Sequence, residues 1–292
     1  MGHKSGFVNI LGNPNVGKST IMNAMVGERL SIISPKVQTT RHRIMGIVNG
    51  DDFQIVYSDT PGILKPRYKL HESMMNFVNT ALTDADVIIY VTDVIEKADP
   101  SGEYLTKIRD SGIPVIIVVN KIDLTKQESL EEIVEAWHSA FPESEIIPVS
   151  ALKVFNLDIL LKSILEKLPE GEPYFPKDQL TDRYERFFAA EIIREKVFRY
   201  YQKEIPYSVE VEIESFTEEP GKNSIRAIIN VARESQKGIL IGHRGQMLKK
   251  VGTSARKDME DFFGRRIYLE LYVRVVKDWR DKPASLKKFG YR

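Results

Sequence analysis

The sequence predicts an α/β fold in two parts: a larger domain with a mixed, mostly parallel sheet carrying helices on both faces, then a smaller α+β domain. Three observations predict this. Apolar runs alternate with helical patterns through the first half. A Pro/Gly segment, Pro169-Glu170-Gly171-Glu172-Pro173 with Pro176 beyond it, breaks that alternation. A different order follows it: helix, strand, strand, helix, helix, strand. A chain of 292 residues also exceeds one ordinary core. The expected domains are 1–170 and 181–292, with a linker at 171–180.

Taken in order, strands are expected at 7–11, 43–49, 53–58, 86–92, 114–119 and 145–149, and helices at 18–26, 73–83, 102–110, 130–141 and 157–168. Asp51-Asp52 reads as the turn of a hairpin between the second and third strands. Val87-Ile88-Ile89-Tyr90-Val91 and Val115-Ile116-Ile117-Val118-Val119 are apolar on both faces, as buried parallel strands are. Open sheets of this kind bind ligands at the carboxyl ends of their strands. In the second half a helix is expected at 184–201, alternating strands at 207–216 and 224–232, a helical region split at 242–245, and a last strand at 267–275.

Composition narrows the function classes. A hydrophobic share of 42% with 28% charged residues describes a globular protein. The absence of cysteine excludes disulfide frameworks and thiolate metal sites, and fits a reducing cytoplasm, the expected location. No apolar run reaches the ~18–20 residues of a membrane span. The N-terminal Met1-Gly2-His3-Lys4-Ser5 leads into a strand without a secretory apolar stretch. The net charge of +1 conceals an asymmetry: residues 1–180 hold 18 Lys/Arg against 24 Asp/Glu, and residues 237–292 hold 15 against 6. A basic C-terminal half suggests a polyanionic partner, nucleic acid before membrane.

The chemistry sits at strand ends. Gly12-Asn13-Pro14-Asn15-Val16-Gly17-Lys18-Ser19, with Thr20 beside it, is a phosphate-binding loop between a strand and a helix. Its backbone N–H groups curl around phosphate oxygens, Lys18 reaches the β- and γ-phosphates, and Ser19 ligates Mg²⁺. Asn120-Lys121-Ile122-Asp123 closes the strand at 114–119 and supplies the base contact. A carboxylate at Asp123 accepts from both guanine N1–H and the 2-amino group, whereas adenine would leave it badly paired. Ser150-Ala151 adds a backbone donor for guanine O6. Asp59-Thr60-Pro61-Gly62, followed by Ile63, ends the third strand. Asp59 is placed to hold Mg²⁺ through water and the Gly62 N–H to bond the γ-phosphate, whose loss would release the next loop. A threonine in Ser34-Pro35-Lys36-Val37-Gln38-Thr39-Thr40-Arg41 would complete the Mg²⁺ shell. Four motifs in this order specify guanine, and the expected reaction is hydrolysis of GTP to GDP and phosphate.

Gln38-Thr39-Thr40-Arg41-His42, the loop at 59–62 and the loop at 120–123 resemble the Era GTPases, relatives of the TrmE and Der proteins, and the resemblance covers essentially the whole chain. It implies that Thr40 is the Mg²⁺ ligand, with Lys18, Thr40, Gly62 and Asn15 as the catalytic set. It also makes Asn15 and the backbone of 34–36 candidates for holding K⁺, which would offset phosphate charge as an arginine finger does. Ile63 stands where Ras-like enzymes place a water-orienting glutamine, so slow, cation-dependent turnover is expected.

Gly238-Ile239-Leu240-Ile241-Gly242-His243-Arg244-Gly245 resembles the GxxG signature of KH domains, and the surrounding element order is that of the type II KH fold. His243 and Arg244 would meet phosphates at the loop tip, with Ile239, Leu240 and Ile241 lining the groove for unstacked bases. Lys237, Lys249, Lys250, Arg256, Lys257, Arg265 and Arg266 supply a basic surround. Similarity to the Era family implies single-stranded RNA near the 3′ end of 16S rRNA as partner, and a role in assembly of the small (30S) ribosomal subunit. The protein is expected to be a monomer. The rival readings are a phosphate-transferring metabolite kinase, which Asp123 disfavours, and a GTPase whose basic domain docks on another RNA or on anionic lipid at the cytoplasmic face of the inner membrane. Trp137 and Phe141 are expected in the core, and Phe187, Phe188, Phe198, Tyr200 and Tyr201 are expected to pack a helix rather than stack bases. His71 and His138 lack partners at metal-ligand spacing, and Trp279 is left open between RNA contact and packing.

Overall fold

The computed structural model describes residues 2–96 and 102–291; Met1 and Arg292, the outer ends of the two expected domains, lie outside the described residues. Contacts divide the chain into two compact units: Met1–Ser31, Thr40–Lys65 and Met74–Asp182 form the first, and Ile32–Thr39, Pro66–Ser73 and Arg183–Arg292 the second.

In the first unit β1 (Lys4–Gly12), β2 (Ile44–Asn49), β3 (Phe53–Asp59), β4 (Val87–Asp93), β5 (Val115–Asn120) and β6 (Glu145–Pro148) form one sheet in the order β2-β3-β1-β4-β5-β6. The β2–β3 hairpin is antiparallel, closed by the Gly50 N–H donating to the Phe53 carbonyl at 2.9 Å; the other pairings are parallel. The helices are α1 (Lys18–Val26), α2 (Lys69–Thr83), α3 (Glu103–Arg109), α4 (Gln127–Ala140) and α5 (Leu157–Lys167). β4 and β5 are buried along their whole length because both faces are covered. Ile88 and Tyr90 pack with Met75 and Val78 of α2, Leu105 of α3 and Trp137 of α4. Ile89 and Val91, equally buried, point to the opposite face by the two-residue period of a strand. Trp137 and Phe141 are core residues, as expected. Helix α2 starts at Lys69 rather than 73: its first turn, with Lys69, His71 and Glu72, carries little apolar signal.

The Pro/Gly segment expected as a linker is tied to this sheet. The Ser5 N–H donates to the Pro169 carbonyl at 3.1 Å and the Gly171 N–H to the His3 carbonyl at 2.9 Å. Gln54 accepts from the Tyr174 and Phe175 N–H groups at 2.7 and 2.9 Å, and the Ile47 N–H donates to the Leu180 carbonyl at 2.8 Å.

The second unit contains α6 (Glu185–Tyr200), α7 (Ile205–Ser208), β7 (Glu210–Glu219), β8 (Lys222–Val231), α8 (Glu234–Ile241), α9 (Gln246–Phe263), β9 (Arg266–Val275) and α10 (Pro283–Lys288). β7 pairs antiparallel with β8, and β8 runs parallel to β9, the pairing that a type II KH order requires. Ala189, Ile193 and Val197 of α6, and Val251, Ala255 and Met259 of α9, recur at helical spacing and close on Ile225, Ala227 and Ile229 of β8. Phe188, Phe198 and Tyr201 are buried, as expected of packing residues. The strand expected from 207 begins only at Glu210, because Pro206 sits in the first turn of α7, where its fixed φ and missing N–H suit a helix start. Trp279 is fully buried and donates from Nε1 to the Ser208 carbonyl at 2.9 Å, which assigns it to packing.

Candidate functional site

The phosphate-binding loop leaves β1 at Gly12 and enters α1 after Gly17, whose φ of 100° is left-handed. A Cβ on Gly17 would stand 2.2 Å from Asn120 Nδ2, so the position requires glycine. Asn120 explains the closeness. Its Nδ2 donates to the Val16 carbonyl at 2.9 Å, and its Oδ1 accepts from the Ala151 N–H at 3.0 Å, cross-linking the phosphate loop and the two base loops. The Ala151 N–H, an expected donor to guanine O6, is thus committed to Asn120 in this structure. Asp123 is exposed, with Oδ1 held by the Ser150 hydroxyl at 2.5 Å. One carboxylate oxygen is fixed by the protein and the group faces outward, as base recognition needs.

Lys18 is buried at the base of the loop and donates to the carbonyls of Gly12 and Asn13 at 3.1 and 2.8 Å. Burial pulls its pKa down to about 8, against the opposing pull of Asp59 and Glu96. Ser19, Thr40 and Asp59 converge: the Ser19 hydroxyl donates to Asp59 Oδ2 at 2.7 Å, Thr40 Oγ1 donates to the same oxygen at 3.1 Å, and the two hydroxyls lie 3.0 Å apart. Burial raises the Asp59 pKa, while Ser19, Lys18, Ser31 and Thr40 oppose the rise. Asp59 Oδ1 is buried without a hydrogen-bond partner. Three hard oxygen donors with one buried carboxylate oxygen unsatisfied fit a magnesium ion.

Thr60 is fully buried and donates to the Ile10 carbonyl at 2.8 Å, which anchors the loop. A Cβ on Gly62 would meet Pro14 Cα at 2.8 Å, so this loop and the phosphate loop lie in close contact. The Ile63 N–H donates to the Gly12 carbonyl at 3.1 Å and its side chain packs against the core of α2, α3 and α4. Ile63 therefore has a packing role where a glutamine would orient water. Asn15 is exposed at the loop tip with a left-handed φ of 68°.

In the second unit the signature loop lies between α8 and α9. Gly242 and Gly245 have φ of 71° and 76°, and Arg244 between them is also left-handed. His243 and Arg244 are exposed and Lys237 is half-buried. A groove of about 370 Å³ runs beside this loop, lined by Gly245, Leu248, Gly252, Leu269 and Leu271 with Lys249 and Arg256 at its edge. An apolar floor with a cationic edge suits unstacked bases on a phosphodiester chain. Leu240 was expected to line the groove, but it is fully buried in the core, with the Tyr201 hydroxyl donating to its carbonyl at 2.6 Å. Ile239 is exposed and Ile241 half-buried. Lys250 lies over the Tyr200 ring at 4.5 Å; Arg256 pairs with Glu260 at 3.1 Å and Arg265 with Glu218 at 3.2 Å, so part of the basic surround is already neutralised. Sequence reading missed Leu269 and Leu271, although the alternation Tyr268-Leu269-Glu270-Leu271-Tyr272 marks one apolar face.

The same unit holds Ile32–Thr39 and Pro66–Ser73. The Lys36 ammonium donates to the carbonyls of Phe198 and Tyr201 at the C-terminal end of α6. Arg194 donates to the Thr39 carbonyl and pairs with Glu191. The Tyr68 hydroxyl donates to Gln38 Oε1 at 3.2 Å beneath the Arg280 guanidinium, 4.9 Å from the Tyr68 ring.

Comparison with known proteins agrees with both halves. Residues 7–121 match the family described as 50S ribosome-binding GTPase, and residues 204–280 match the KH domain. The chain is 47% identical to GTPase Era of Syntrophus aciditrophicus (strain SB) over 291 residues, 99% of this chain and 95% of that protein. It is 43% identical over 294 residues to GTPase Era of Thermoanaerobacter sp. (strain X514), covering 100% of this chain and 97% of that protein. Among solved structures it resembles a variant of Aquifex aeolicus Era bound to GDP and AlF4⁻, with a TM-score of 0.95 at 44% identity over 99% of each chain. An Era complex with MgGDPNP and nucleotides 1506–1542 of 16S ribosomal RNA gives the same TM-score, identity and coverage.

Proposed function

The chain belongs to the Era family of GTPases, and from that membership we propose that it is a nucleotide-gated RNA-binding protein. It binds GTP on residues 12–20, reads guanine through Asp123, and carries single-stranded 16S rRNA near its 3′ end on the groove beside residues 242–245. The process it serves is assembly of the small ribosomal subunit. It acts in the cytoplasm as a monomer.

The geometry supports the phosphate and Mg²⁺ roles, and the family resemblance suggests the K⁺ role. Backbone N–H groups after Gly12 and the Lys18 ammonium take the β- and γ-phosphates, and the Gly62 N–H takes a γ-phosphate oxygen. Ser19, Thr40 and, through water, Asp59 would hold Mg²⁺, which supplies neutralising charge between the phosphates. Asn15 would hold K⁺, placing a positive charge where other GTPases use an arginine. Thr40 and Gly62 distinguish GTP from GDP, since both address the γ-phosphate end of the site.

The observation that carries the gating is the membership of the second unit. Ile32–Thr39 ends one residue before Thr40, and it packs in that unit through Arg194 and Lys36. Pulling on Thr40 therefore pulls on a segment that belongs to the RNA-binding core. The choice of RNA follows the solved Era complex with 16S rRNA nucleotides, whose similarity to this chain spans both halves. The family matched at 7–121 covers only the nucleotide half, so its 50S label does not select the subunit. Among the described residues no helix is long and apolar enough to cross a membrane. Crosslinking of the nucleotide-loaded protein in cells, followed by sequencing of attached RNA, tests the reading: enrichment of the 16S 3′ end is expected. Flotation with anionic liposomes and no enriched RNA would replace it with a membrane role.

A further inference from the structure

Asp93 ends β4 and Glu96 lies three residues on; neither belongs to a nucleotide motif, yet Glu96 reaches the phosphate loop directly and Asp93 reaches it through Lys121. Asp93 is buried, and its two oxygens act separately. Oδ1 accepts from the N–H groups of Ile95 and Glu96, both at 2.9 Å, and so shapes the turn at 93–96. Oδ2 pairs with the Lys121 ammonium at 2.5 Å, and that ammonium also donates to the Asn15 carbonyl at 2.6 Å. The turn aims Glu96 at the loop, where Oε2 accepts from Asn13 Nδ2 at 3.0 Å and Oε1 accepts from the Thr92 hydroxyl at 2.9 Å.

Two carboxylates beside a site for a polyphosphate would repel their ligand if their only effect were charge. Their partners point to a different use. The Asp93 charge is matched by Lys121, and Glu96 fixes a neutral amide. Asn15, at one of the two held points, has a left-handed φ of 68°, which an asparagine adopts readily. We propose that the turn at 93–96 is a positioning element of the phosphate site: Asp93, through Lys121, holds the Asn15 carbonyl, and Glu96 holds Asn13, which keeps the loop N–H groups aimed at the phosphates. The proposal rests on the reading of residues 12–20 as the phosphate loop.

The test is the dissociation rate of a fluorescent GDP analogue from the full-length protein. Glu96→Ala should release GDP about tenfold faster, the effect of losing one charge-assisted hydrogen bond. Glu96→Gln should return to within about twofold, because its amide still accepts from Asn13 and donates to the Thr92 hydroxyl. Asp93→Asn should accelerate release about tenfold or more by freeing Lys121. Melting temperatures are read in parallel, and an unchanged value for Glu96→Ala with faster release separates positioning from general stability. Should Asp93→Asn fail to fold, the Glu96 pair decides. Lys18→Ala tests the underlying reading. If it loses GDP while Glu96→Ala and Asp93→Asn release GDP at the unsubstituted rate, the proposal is overturned. If Lys18→Ala itself keeps GDP, the phosphate-site reading falls instead.

Discussion

Arg194 Nη2 donates to the Thr39 carbonyl at 2.5 Å while the same guanidinium forks onto Glu191 at 2.5 and 2.7 Å. Arg194 is 1% exposed, and Thr39 directly precedes the residue whose hydroxyl meets Ser19 and Asp59. Removing this guanidinium leaves Glu191 buried without its partner, so Arg194→Ala should cost roughly 3–5 kcal/mol in denaturant unfolding. Arg194→Lys keeps charge but not the fork, and should unfold with an intermediate loss. Equal stability of all three chains would show that the Thr39 contact is incidental.

Base choice should reside in one carboxylate. Asp123→Asn replaces two acceptor directions with one acceptor and one donor, which pairs badly with the guanine 2-amino group and well with the 2-oxo group of xanthine. GTP affinity should fall by roughly 10³-fold or more while xanthosine triphosphate gains. Competition binding of the two nucleotides reads this directly. A variant that still prefers GTP would place recognition elsewhere, on Asn120 or on the loop at 150–151.

Hydrolysis should depend on the monovalent cation. With a half-buried Ile63 packed against the core, no side chain at that position orients water. Turnover in K⁺ should exceed turnover in Na⁺ severalfold, and Asn15→Ala should abolish that difference, because the charge at the phosphates is lost. Rates that are identical in the two salts would remove K⁺ from the account.

Lys18 gives a pH signature. Its folded pKa of about 8 lies below the ordinary 10.5, with burial as the leading cause. The unfolded chain therefore binds the extra proton between those values, and stability of the nucleotide-free protein rises with pH across that window by about 1.4 kcal/mol per unit at most. Nucleotide binding has the opposite sign, since the phosphates need the protonated ammonium; affinity should weaken as pH climbs above 8. Lys18→Met should flatten both profiles. Profiles that survive the substitution would assign them to another group.

The nucleotide half was legible because its chemistry is local. Each motif occupies four to eight consecutive residues at the end of an apolar run, so Lys18, Asp59, Asn120 and Asp123 could be placed by counting along the chain. What escaped depends on neighbours distant in sequence. Leu240 sits in an apolar triplet beside the signature glycines, and nothing local says that it turns into the core while Ile239 stays exposed. Leu269 and Leu271 reach the groove only because β9 lies beside α9, more than fifteen residues earlier in the chain for Gly252. Arg194 reads as one more helix cation until folding brings Thr39 to it across 155 positions. The short α7 was hidden for another reason: Ile205-Pro206-Tyr207-Ser208 offers the same apolar content to a strand as to one helical turn.

On the proposed function, nucleotide state governs RNA binding. The most direct measurement of this is the affinity of the full-length protein for a fluorescent RNA matching the 3′ end of 16S rRNA, at fixed salt, with a non-hydrolysable GTP analogue and with GDP. Arg244→Ala serves as the groove control, and should weaken binding in both states while lowering the salt slope by about one. Binding should be about tenfold or more tighter in the GTP-analogue state, in the range of allosteric couplings. Equal affinity in the two nucleotide states, with Arg244→Ala still impaired, would contradict the proposed gating.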